Sequence, residues 1–113
     1  MEKQLLENFY QSMNDLKLII TEQAYKDMDM ISGFIAKDNV NAATELLILL
    51  LKSCRLLTKF PDLVIKRPDF TYKDYRFYIV KKHYIIAYRI VDNSLYVSRV
   101  LSAYQDICNL FLN

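Results

Sequence analysis

The chain has one glycine, two prolines, two cysteines, one histidine and no tryptophan among its 113 residues. Phosphate-cradling loops and many-turned β-sandwiches both need backbone conformations that glycine supplies most easily, and Gly33 stands alone. The sequence therefore argues against a nucleotide-binding enzyme and against an all-β sandwich. Cys54 and Cys108 have neither the paired spacing of a zinc site nor the density of a secreted disulfide scaffold, so reduced thiols in a cytoplasmic protein are the simplest reading. The one histidine, His83, sits in "KKH" without a second ligand nearby, and no paired-carboxylate motif occurs. No metal and no cofactor are expected.

Long apolar runs are missing too. The most apolar segment, "LLILLL" at 46–51, is bracketed by Glu45, Lys52 and Arg55 and is far shorter than the roughly 20 residues that cross a bilayer. It reads as part of a buried helix, and no membrane partner is expected. The opening "MEKQLLENFYQS" carries Glu2, Lys3 and Glu7 where an export signal would be basic and then apolar, so export is not expected either.

What is present is enough for one core. Hydrophobic residues make up 53% and charged residues 25%, a balance that folds rather than one that stays disordered, and the length suits a single domain. The net charge of +2 conceals an asymmetry. Residues 1–51 hold four basic and eight acidic side chains, whereas residues 52–113 hold eleven basic and five acidic ones. A basic second half is a reason to consider nucleic acid, a ribonucleoprotein or an acidic protein as partner.

Hydrophobic periodicity orders the elements. "DLKLIIT" at 15–21 reads as a short strand ending in a residue able to cap a helix. In the helix that follows, Ala24, Met28, Ile31 and Ile35 share one face, with Lys26, Asp29 and Ser32 turned away. Asn39 or Asn41 caps a second helix over 40–59, with Ala42, Leu46, Leu49 or Leu50, and Leu57 as its central stripe. Pro61 ends it. Beyond this point the period changes to two in "LVI", "YRFYIV", "HYIIAYRIV" and "LYVSRVL", with turns at "KKH" and at Asp92–Asn93. "SAYQDICNLFL" suits a short terminal helix. The expected fold is thus α+β: an N-terminal strand, an antiparallel helical hairpin packed on a mainly antiparallel sheet of four or five strands, and a short C-terminal helix. Residues 1–14 form an extension outside this plan that can be read as an extra helix, and residues 15–113 form the single domain.

The strands interleave Arg76, Arg89 and Arg99 with Tyr75, Tyr78, Tyr84, Tyr88, Tyr96 and, beyond them, Tyr104. Such arginines can offer a cationic surface on the sheet's open face and edge, or they can lay their stems on apolar surface and pair with carboxylates. Strict alternation places Arg99 on the face of Leu95, Val97 and Leu101, partly buried and paired. The tyrosines can stack on bases, though in a small sheet they more often fill the core. Lys81, Lys82 and His83 read as a solvated turn.

In this order, "LIITEQAYKDMDMISGFIAKDN", "NAATELL" followed by "FP", "YRFYIVKKHYIIAYRIVDNSLYVSRVL" and "AYQDI" resemble the RelE/ParE superfamily of toxins from bacterial type II toxin–antitoxin systems, over about residues 16–112. The resemblance implies a growth inhibitor neutralised by a cognate antitoxin, meeting DNA only indirectly through the antitoxin complex. Two branches differ in target. RelE-like members cleave mRNA on the ribosome and ParE-like members poison DNA gyrase. Cleavage by 2′-hydroxyl attack needs a base, an acid and a cation. Arg76 meets the first basic position of the nuclease pattern, but Ile85 stands where the next arginine is usual, and Leu101, Ser102 and Ala103 end the last strand without a cation. "YVSRVLSAYQD" instead follows the ParE-like R-V-L-H-x-R-x-D pattern at Arg99, Val100, Leu101 and Asp106, with Ser102 replacing the histidine and Tyr104 where an arginine is common. The resemblance therefore implies gyrase as target, with Arg76, Arg89, Arg99, Tyr104 and Asp106 binding target or antitoxin. The alternatives are a ribosome-dependent nuclease using Arg76, Arg89, Lys73 or Lys81, and a non-toxic member that only binds its antitoxin.

Overall fold

Thr21 joins the first two elements of the computed structural model, which describes residues 15–63 and 75–102. Strand β1 (Lys17–Ile20) ends beside it, and its extended backbone and side-chain oxygen, accepting from the Ala24 N–H at 3.1 Å, begin helix α1 (Glu22–Ala36). One orphan first-turn donor is thereby satisfied. Asn39 does the same for helix α2 (Val40–Lys59), accepting from the Ala42 N–H at 3.0 Å. Helix α2 stops just before Phe60–Pro61, as the proline ring requires. Strands β2 (Arg76–Val80), β3 (Tyr84–Val91) and β4 (Ser94–Leu101) complete the described chain.

The sheet order is β1-β4-β3-β2, with β1 parallel to β4 and both other pairings antiparallel. The fold is α+β as expected, with the sheet four-stranded and mixed among the described residues. The extension at 1–14, most of "LVI" and the expected C-terminal helix lie outside the described residues. The two hairpins turn through left-handed residues: Lys81 and Lys82, with φ of 52° and 66°, and Asp92, with φ of 54°.

Both helices lie on one face of the sheet. Ala24 and Met28 of α1 and Leu46, Leu50, Cys54 and Leu57 of α2 are buried against Val80, Ile86, Tyr88, Leu95, Val97 and Val100. Burial of each large member stabilises the fold by roughly 1.5–3 kcal/mol relative to exposure. Ala42, expected on the central stripe, is only half-buried. Ala43 takes the buried place, since the stripe that faces the sheet runs through positions 43, 46, 50, 54 and 57. A second, smaller cluster of Phe77, Ile85, Ala87 and Leu101 lies on the other face.

Strand β4 does not alternate strictly. Ala87 stands opposite Arg99 while Tyr88 stands opposite Val97, so Ser98 is an extra residue in β4. Such a bulge reverses the phase of the side chains that follow it. Leu95, Val97 and then Val100 face the helices, and Leu101 joins the opposite cluster. The expectation that Arg99 shares one face with Leu95, Val97 and Leu101 is corrected by this inserted residue.

Candidate functional site

Strand β1 pairs with only the first half of β4, from Ser94 to Val97. Past that point the edge of β4 would present unpaired backbone groups, and the start of α1 satisfies them instead. The Thr21 N–H donates to the Val97 carbonyl at 3.1 Å, the Thr21 hydroxyl donates to the Ser98 carbonyl at 3.1 Å, and the Val100 N–H donates to the Asp27 carboxylate at 3.0 Å. An exposed strand edge is thus closed by a helix.

Arg99 belongs to this closure. Its Nε donates to Asp27 Oδ2 at 2.8 Å and its Nη2 to Oδ1 at 3.1 Å, a two-pronged grip, while Gln23 Nε2 donates to Oδ1 at 3.1 Å. Asp27 is 2% exposed. Burial pushes its carboxyl up, but the hydrogen bonds from Arg99, Val100 and Gln23 together with the Arg99 charge outweigh burial and hold it below the ordinary 3.8.

Arg76 is committed elsewhere on the same helix side. Its Nη1 donates at 2.9 Å both to the Pro61 carbonyl and to Asp62 Oδ1. Tyr88, opposite Arg76 in the β2–β3 register, donates its phenol to the same Pro61 carbonyl at 2.8 Å. Burial pushes the Tyr88 phenol up to about 12, which keeps it a donor at neutral pH. The two side chains fix the segment that leaves α2.

Arg89 faces the other way. It follows Tyr88 in β3 and so points to the opposite face of the sheet. It is exposed, with its guanidinium 5.7 Å from the centre of the Tyr75 ring and Tyr96 opposite it in β4. Among the described residues no carboxylate pairs with it. The three arginines therefore do not make one basic face and edge, as their interleaving in the strands led us to expect. Two reach into the helix layer and one stands on the open face. Lys81 is exposed at the tip of the β2–β3 hairpin beside Lys82 and His83. Lys73, Tyr104 and Asp106 lie outside the described residues. Arg76, Arg89, Arg99 and Lys81 thus occupy four separate surroundings.

Among the described residues no group of three or more His, Cys, Asp or Glu side chains is placed to hold a metal ion. The Cys54 thiol is buried and pushed up to about 12, which leaves it unreactive. Two features escape a reading that sorts the α1 faces by apolar residues alone. Asp27 falls three residues after Ala24 and one before Met28, so its place on the buried face is written in the periodicity. Met30 and Phe34 are 69% and 71% exposed, a wide apolar strip on the outer side of α1.

Comparison with solved structures shows a shared fold. The "Chromosomal ParDE TA system from P. aeruginosa" superposes with a TM-score of 0.67 at 14% identity, over 80% of this chain and 98% of that one. A conserved hypothetical protein from Helicobacter pylori aligns with a TM-score of 0.48 at 24% identity, over 77% of this chain and 93% of that one. No curated protein matches the sequence significantly. A helical hairpin on a four-stranded mixed sheet is the fold this chain shares with the first of these. The family model described as "ParE toxin of type II toxin-antitoxin system, parDE" matches residues 18–107, most of the chain. The chain belongs to the ParE toxin family.

Proposed function

We propose that this toxin arrests growth in the cytoplasm by binding DNA gyrase, without nuclease chemistry of its own, and that a cognate antitoxin neutralises it. The observation that carries this reading is the dispersal of the candidate cations among the described residues. Attack of a 2′-hydroxyl on a phosphodiester needs base, acid and cation around one phosphate. Arg76 is bound to Pro61 and Asp62 on the helix side, Arg89 stands on the opposite face and Lys81 sits at a hairpin tip. Position 85, where the nuclease pattern has an arginine, holds a buried isoleucine. Such separate placements favour binding over cleavage.

Binding makes a smaller demand. Arg89, exposed and steadied against Tyr75, offers a fork suited to a carboxylate on a protein target. In this reading Arg89 makes the contact, Arg76 and Arg99 hold the frame behind it, and Tyr104 and Asp106 complete the family's C-terminal pattern. Among the described residues no helix is long and apolar enough to cross a membrane.

The test is induced expression with DNA and protein synthesis labelled separately, alongside a supercoiling assay on purified gyrase. Early loss of DNA synthesis, inhibited supercoiling and relief of both by Arg89→Glu are expected. Early loss of translation with ribosome-dependent mRNA cleavage would transfer the protein to the nuclease branch. Normal growth would leave a protein that only binds its antitoxin.

A further inference from the structure

The chain enters β1 at a fixed place. The Leu16 N–H donates to the Thr58 carbonyl at 3.1 Å and the Lys17 N–H to the Asn93 carbonyl at 2.9 Å, so the backbone at residue 16 is tied to the last turn of α2. The family match begins only at residue 18, which makes residues 1–14 an addition to the shared fold. They are joined to it beside Thr58.

A groove of about 350 Å³ opens one turn away, lined by Leu18 and Ile20 of β1, Tyr25 of α1, and Leu51 and Arg55 of α2. Spacings of three and four residues put Thr58, Arg55 and Leu51 on one side of α2, and Ile48 extends that side by a further turn. Leu18 and Ile20 are half-buried against the main core, whereas Tyr25, Leu51 and Ile48 stand in solvent. Arg55 is the one charged side chain of the lining, it is exposed, and among the described residues no carboxylate pairs with it. Strand β1 is the end of the sheet and pairs with β4 along one edge alone.

The added segment carries a pattern that fits. Leu5, Leu6, Phe9, Tyr10 and Met13 recur at the three- and four-residue spacing of one helical face, Gln4, Asn8 and Gln11 fall opposite, and Glu7 stands at the margin of the apolar stripe. From the tether at Thr58, the groove beside it and this stripe, we infer that residues 3–13 seat as an amphipathic helix in the groove, alongside α2 and over the outer side of β1, with Glu7 meeting Arg55. The lengths agree. Positions 5–13 of a helix extend about 12 Å, and Ile48 to Arg55 of α2 extend about 10.5 Å. A tether of two residues, Asn14 and Asp15, holds the segment at an effective concentration in the millimolar range, which favours it over a second copy of the chain. Seated there, the helix covers Ile48, Leu51 and Tyr25 and shields the strand edge on which another chain could add. This seat does not depend on which target the toxin binds, and growth arrest is not its readout.

The test is amide hydrogen exchange over residues 5–13 in the full-length chain, with thermal melts by circular dichroism to establish that each variant is folded. Exchange in wild type should be at least tenfold slower than in Leu6→Glu/Phe9→Glu, whose changes lie outside the domain. Leu51→Glu, in the groove itself, should speed exchange over 5–13 by a similar factor. Should Leu51→Glu fail to fold, Arg55→Glu, on the surface, decides the matter. Arg55→Glu and Glu7→Arg should each speed exchange severalfold at low salt, and the two together should restore most of the protection. Equal exchange over 5–13 in wild type and Leu6→Glu/Phe9→Glu overturns the proposal. Protection that neither Leu51→Glu nor Arg55→Glu alters places the segment elsewhere and overturns it too. Protection that rises with protein concentration assigns the groove to the extension of a second copy, and the seat within one chain then falls.

Discussion

Asp27 carries a full carboxylate charge into a site almost closed to water, and only a complete set of donors makes that tolerable. Removing one partner of such a pair leaves the other charge buried and uncompensated, which costs about 3–5 kcal/mol. Asp27→Ala and Arg99→Ala are both expected to fall in that range, read as a lowered urea midpoint with an unchanged slope. Replacing both by apolar residues of similar volume should cost much less than the sum of the single changes, because no orphan charge remains. The pH dependence follows from the direction of the shift. The folded carboxyl titrates below 3.8, its ordinary value in the unfolded chain, so its contribution is complete above that value and fades as pH falls through the folded one. Wild type should lose stability on acidification below about pH 4, and in Asp27→Asn this part of the loss should be absent. Arg99 was legible as a partly buried, paired arginine. Its partner was not, because a lone aspartate on an apolar helix face gives no sign of which strand will meet it.

At the scale of elements the sequence was more forthcoming. The α2 limits, both helix caps and the β3–β4 turn follow from residues whose local chemistry dictates them: Thr21, Asn39, Pro61, Asp92 and Asn93. The bulge in β4 does not, since "LYVSRVL" reads as unbroken alternation and Ser98 is the extra residue where α1 holds the strand through Thr21 and Asp27. Two substitutions probe elements without touching the core. A Cβ added at Gly33 meets nothing within 4 Å, so Gly33→Ala should stabilise α1 by about 0.5–1 kcal/mol, seen as a higher melting temperature. Lys82→Gly should also raise the melting temperature, by up to about 1 kcal/mol of stability, because glycine adopts the turn's positive φ without strain.

The molecule as a whole is tied together by its extremes. Strand β1, at the start of the described chain, pairs with β4 near its end, and one core is shared by both helices and all four strands. Unfolding should therefore be a single event. Helix content by far-UV circular dichroism and the environment of the tyrosines, observable because tryptophan is absent, should give coincident urea transitions. Separated transitions would mean that the helical hairpin melts apart from the sheet. Over generations the grip of Arg99 on Asp27, across 72 positions of sequence, binds two distant codons into one heritable unit. A lineage that loses either charge passes through a weakened toxin, so descendants should carry the pair intact or have lost both members together, and mutation at one position should follow mutation at the other in any pedigree of this chain.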